Sequence, residues 1–179
     1  MDISMMEGNW RPWRIAMWSG AAFLLCLPWA AMQLYADAGV NWSGFDFLVF
    51  GIMLLVAATA VEVAVRMSAS GSYRLAAVIA VGAGFLQFWV NAAVGIIGDE
   101  DNPANLMFIA VLAIGFFGGL LVKLRAAGMA HVLNVVAVAQ LIAGVIGWSM
   151  GYREALIVSL ILAALWFASS QLFTKAARG

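Results

Sequence analysis

The chain has very little of what a water-soluble domain needs. Charged residues make up 10% of it against 65% hydrophobic ones, and mean hydropathy is +1.00. So few charges cannot cover the surface of a soluble domain. It has one cysteine, Cys26, and one histidine, His131. A lone cysteine excludes an internal disulfide framework and any cysteine-cluster metal site. One His with one Cys also falls short of the three or four ligands a zinc site requires. Bis-histidine haem is excluded for the same reason, leaving a histidine–methionine pair as the haem ligation still open. Net charge is zero, which argues against an electrostatic grip on nucleic acid. The glycines fall at helix-packing intervals and not in a phosphate-cradling loop. The residue inventory therefore predicts no enzyme, no resident cofactor and no metal centre.

What is present is apolar length. A bilayer core of about 30 Å takes about 20 apolar residues per helix, and the chain offers six such stretches, at roughly 14–35, 45–66, 74–98, 104–124, 129–149 and 154–174. The loops between them are short and leave no room for a soluble catalytic module. Eight of the nine basic residues alternate in position: Arg11 and Arg14, Arg66 and Arg74, Lys123 and Arg125, Lys175 and Arg178. Short loops rich in Lys and Arg stay cytoplasmic, so both termini are predicted inside. The expected fold is all-α, one bundle domain of six transmembrane helices over residues 1–179. The first stretch has a basic start and Ala36-Asp37-Ala38 after it, like a secretory signal, but its length, Pro28 and Trp29 read as a retained helix. Trp10, Trp13 and Tyr73 suit the inner interface, and Tyr35, Trp42, Trp148 and Tyr152 the outer one.

On this topology the acids gather outside. Asp37, Asp46, Asp99, Glu100, Asp101 and Glu154 fall in the outward gaps, a full bilayer from His131, so no Ser or Cys triad can form. Asp99, Glu100, Asp101 and Asn102 are hard oxygen donors of the kind divalent cations take, although no calcium-loop spacing is present. Helix dipoles supply the plainer account. Helices two, four and six start outside, where acids are stabilised, and end inside with Arg66, with Lys123 and Arg125, and with Lys175. Before helix four, Asn102 makes a good N-cap and Pro103 a good first residue.

The segment Gly95-Ile96-Ile97-Gly98-Asp99-Glu100-Asp101-Asn102-Pro103-Ala104-Asn105 is denser in special residues than a plain turn requires. Here the chain resembles a family of proteobacterial multi-pass inner-membrane proteins with an Ile-Gly-x-Glu-Asp-Asn-Pro-Ala-Asn turn. The likeness extends more loosely to Asp46-Phe47 and Glu62. It implies a bacterial inner-membrane location and carries over no activity and no functional residue.

Polar groups inside a bilayer are costly unless they face other helices or water. Gly84, Gln87, Asn91, Gly95 and Gly98 fall on one face of helix three, a stripe that lets another backbone approach. Gln140, Gly144 and Gly147 repeat the spacing of Asn91, Gly95 and Gly98. The match suggests that helix pairs two–three and four–five are parallel repeats, an arrangement seen in transporters. Glu62, the acid inside an apolar span, lies one turn before Arg66 and pairs with it at the inner end. Gly115 and Gly119 form a small-xxx-small packing motif in helix four.

Three roles fit. The first is a non-catalytic inner-membrane protein acting through helix packing, as a homo-oligomer or an accessory subunit of a membrane assembly. The second is a minimal transporter or channel whose path passes the outer acids, Asn91, Gln87, Gln140 and Glu62. The third is binding of lipid or another hydrophobic molecule between helices. Besides a possible copy or subunit, the partner is the bilayer itself, with the basic pairs meeting anionic headgroups.

Overall fold

The computed structural model describes residues 11–34 and 40–179. Trp10, Tyr35, Asp37 and the Ala36-Asp37-Ala38 segment lie outside the described residues. Among those described there is no strand, and the helices are α1 (Arg11–Leu34), α2 (Gly44–Met67), α3 (Gly71–Ala93), α4 (Leu106–Leu121), α5 (Ala126–Ser149) and α6 (Arg153–Arg178), with a 3-10 turn at Pro103–Asn105 leading into α4. With that turn counted, six helices among the described residues are long and apolar enough to cross a membrane. The large exposed hydrophobics, among them Phe116, Phe117, Leu121 and Ile161, need no partner when lipid is the solvent.

Packing sorts the chain into two compact units, Met1–Val63 and Ala64–Gly179. In the first, α1 runs through Pro28 and has no buried residue in its most apolar window. Arg14 reaches Glu62 on α2 at 2.9 Å, and the Trp18 indole donates to the other Glu62 oxygen at 3.2 Å. The expected partner of Glu62 was Arg66 on its own helix. The structure adds a clamp from α1, because Arg14 and Trp18 are one turn apart and face the same carboxylate. Ser43 and Asp46 start α2 as a reciprocal capping box. The Asp46 carboxylate accepts from the Ser43 N–H (2.7 Å), and the Ser43 hydroxyl accepts from the Asp46 N–H (3.3 Å).

In the second unit, α6 is the helix around which α3 and α5 pack, and α4 packs on α5. The buried residues of α6 include Ala155, Ser159, Leu162, Trp166, Ser169 and Phe173, alternating four and three apart. Those of α5 include Met129, Leu133, Val136, Gln140, Ala143 and Gly147 on the same rhythm. Buried positions on this four-and-three rhythm form a continuous seam between two helices. It is built from small residues. Gly147 lies against Ala155, and Gly144 so close to Ser159 that a Cβ there would collide with it. Along α4, Gly115 abuts Val136 and Gly119 abuts Met129. Gly118 against Val132 does the same work, although the spacing of Gly115 and Gly119 gave it no role.

Helix boundaries differ from expectation by a few residues, and two of the differences have a visible cause in the backbone. Helix three stops at Ala93, short of residue 98, because Gly95 and Gly98 take positive φ of 72° and 70°. They are turn residues and not part of a helical packing stripe. An L side chain is strained in that conformation, and a Cβ on Gly95 would run into the Asp99 carbonyl. Gly144 and Gly147, their proposed counterparts, stay helical, so the spacing match does not carry through to matching backbone. Helix four ends at Leu121, where Lys123 and Leu124 turn left-handed with φ of 52° and 54°. Tyr73, in the first turn of α3, is buried. Its hydroxyl donates to the Leu124 carbonyl at 2.8 Å, and its ring packs edge-on against Phe173.

Candidate functional site

The polar side chains inside the second unit fall into layers. At the end away from the Asp99–Asp101 turn, α6 pins both neighbours through serines. The Ser169 hydroxyl donates to the Ala76 carbonyl of α3 (2.7 Å), and that of Ser170 to the Ala130 carbonyl of α5 (2.8 Å). Both serines have no exposed surface. A hydroxyl has few rotamers to lose, and a helical carbonyl keeps a second lone pair free, so such bonds join helices without breaking either. Sequence reading missed Ser159, Ser169 and Ser170. The signal that would have found them is their place on the four-and-three rhythm of α6.

Nearer the acidic end lie Gln87, Asn91 and Gln140, all buried. Gln87 donates to the Phe108 carbonyl of α4 at 2.9 Å, and Gln140 donates to the Ser159 hydroxyl at 3.2 Å. Both amides thus tie one helix to another, as their intramembrane position required. The ties are incomplete. Gln87 Oε1, Asn91 Oδ1, Gln140 Oε1 and Trp166 Nε1 have no hydrogen-bond partner among the described residues. What lies against Gly84 is the Trp166 ring, a side chain and not the backbone expected there.

At the acidic end the turn closes on Asn105, which is buried. Its Oδ1 accepts from the Ile96 and Ile97 N–H groups (3.0 and 2.8 Å). Its Nδ2 donates to the Ile97 and Asp99 carbonyls (3.2 and 2.6 Å). Asn102 caps the 3-10 turn through the Ala104 N–H at 3.0 Å, with Pro103 following as expected. The dense residues of this segment thus satisfy its own backbone. Asp99, Glu100 and Asp101 are exposed. Among the described residues no group of three or more His, Cys, Asp or Glu side chains is placed to hold a metal ion. His131 is exposed and turns its Nδ1 to the Ala127 carbonyl of its own helix at 2.7 Å. Glu62 belongs to the first unit with Arg14 and Trp18, while Gln87, Asn91 and Gln140 belong to the second.

The helices and their polar ties define a multi-pass membrane protein built as a helical bundle. Comparison with family models, with curated proteins and with solved structures gives no match.

Proposed function

We propose that the chain is a non-catalytic bacterial inner-membrane protein, both termini cytoplasmic, that works through helix packing as a homo-oligomer or as an accessory subunit of a larger membrane assembly. The likeness of its Ile97–Asn105 turn to a proteobacterial membrane family and the alternation of its basic residues support the location. The observation that carries the role is a contrast in burial. In the second unit, Gln87, Gln140, Ser169 and Ser170 each bond to a neighbouring helix, as in a fixed scaffold. In the first, α1 leaves its whole apolar window unburied, the condition of a helix able to receive another membrane segment. Cys26, the one cysteine, is exposed on that helix. Oxidative cross-linking through Cys26 in native membranes gives a covalent dimer if a second copy docks there, and a mixed adduct if another cysteine-bearing subunit does. A Cys26→Ser chain that still forms the same adduct, or a strictly monomeric protein that moves solute in proteoliposomes, defeats the reading.

A second reading, a minimal transporter or channel, has one specific support: the unpartnered amide oxygens of Gln87, Asn91 and Gln140 within the bundle. On that reading Asn91→Leu abolishes flux in liposomes and leaves the fold intact.

A further inference from the structure

Three amide oxygens and one indole N–H stand unpartnered inside a single helical unit, and all four side chains are at least nine-tenths buried. Their positions are related through the packing. The Trp166 ring rests on Gly84 of α3, and Gln87 follows Gly84 by one turn. The Gly84 contact thus sets the Trp166 ring one turn from Gln87 along α3, while the Gln87 amide nitrogen reaches the Phe108 carbonyl of α4. Gln140 enters from α5, bonded to Ser159, two turns or about 10 Å before Trp166 on the same face of α6. Asn91 lies one turn beyond Gln87, toward the acidic end.

The ligand that fits must donate at least two hydrogen bonds and accept one. A metal or ammonium ion would find the oxygens but would also meet the positive end of the indole N–H. No carboxylate is among the buried polar residues described in this unit to offset its charge, and an uncompensated charge at membrane depth is expensive. Water satisfies every group. Buried waters characteristically make two to four such bonds to otherwise orphaned polar atoms.

We propose that a short chain of ordered waters inside the second unit meets these groups, one molecule accepting the Trp166 Nε1–H and its neighbours donating to Gln87 Oε1 and Gln140 Oε1, with Asn91 Oδ1 extending the set toward the acidic end. The bundle is then tied by water between the helices that carry these side chains and by serine hydroxyls further along. The proposal stands apart from both functional readings above, since a scaffold or a carrier can hold such water.

The test uses the full chain in nanodiscs of deuterated lipid, with tryptophan labelled at the indole nitrogen. Magnetisation transfer from water to the Trp166 indole N–H is measured, the signal being assigned by its loss in Trp166→Phe. The expected result is direct transfer from a bound water, lost in Gln87→Met with Gln140→Met, which keep side-chain volume and remove the acceptors. Absence of transfer in the unsubstituted protein overturns the proposal and needs no variant to fold. Transfer that persists unchanged in the double variant overturns the role of the glutamines. A Trp166 indole shift on adding sodium or potassium marks an ion site and overturns it as well.

Discussion

Asn105 makes four hydrogen bonds to backbone groups of the segment just before it, and so decides whether the turn between α3 and α4 has a shape at all. Its side chain does for this turn what a ladder of backbone bonds does within a helix. Asn105→Ala leaves the Ile96 and Ile97 N–H groups unpaired in a buried place, which costs on the order of 1–3 kcal/mol each. Asn102→Ala removes a single capping bond, worth about 1 kcal/mol. Reversible unfolding of both variants in mixed micelles is expected to rank them in that order, and equal losses would contradict it. Sequence reading singled out the segment but weighed its carboxylates first. Asn102 read as a cap and Asn105 only as the end of the turn, because nothing in a linear sequence shows an amide folding back on residues eight and nine positions earlier. The same limit hid the left-handed conformations of Gly95 and Gly98. Their spacing fits a helix, and only the turn that follows pulls them out of it.

Among the helices, the α5–α6 seam depends on small residues held in close contact, whereas α1 is nearly indifferent to its glycine. A Cβ at Gly144 would overlap Ser159, while one at Gly20 meets nothing within 4 Å. Gly144→Ala is expected to cost about 1–3 kcal/mol as the two helices are forced apart. Gly20→Ala is expected to be neutral or to gain up to about 1 kcal/mol from helix propensity. Steric-trapping measurements in bicelles separate the two, and a neutral Gly144→Ala would show that the seam tolerates separation. Helix existence was legible from length and apolarity alone. Which face of each helix turns inward was much less so. In lipid the outward face is as apolar as the core, so the inward face is marked by small and weakly polar residues and not by hydrophobic contrast. Gln87, Asn91 and Gln140 announced themselves by that rule. The serines of α6 did not, since a serine in an apolar run is cheap enough to pass as background.

For the molecule as a whole, the division into two compact units sets which parts depend on each other. Five ties among the described residues join α3 through α6 to one another: Gln87 to Phe108, Gln140 to Ser159, Ser169 to Ala76, Ser170 to Ala130 and Tyr73 to Leu124. A chain of residues 71–179 is therefore expected to insert and to keep its helicity and protease resistance in mild detergent without α1 and α2. Circular dichroism and limited trypsin digestion report on it, and a fragment cleaved within its helices would show that the first hairpin is required. The converse fragment, α1 with α2, has the Glu62 clamp and little buried surface on α1, and is expected to be the less resistant of the two.

The place of α6 in this arrangement bears on how the protein is made. It is synthesised after α3, α4 and α5, yet it provides the hydroxyls that bind α3 and α5 and the face on which both rest. Until it leaves the ribosome and enters the bilayer, the hydroxyl of Ser159 is missing from Gln140, and the earlier helices wait beside lipid or insertion machinery with their inner faces uncovered. Assembly of the second unit is thus held back until α6 has been made, and a nascent chain interrupted before α6 leaves α3 and α5 without the face on which both rest.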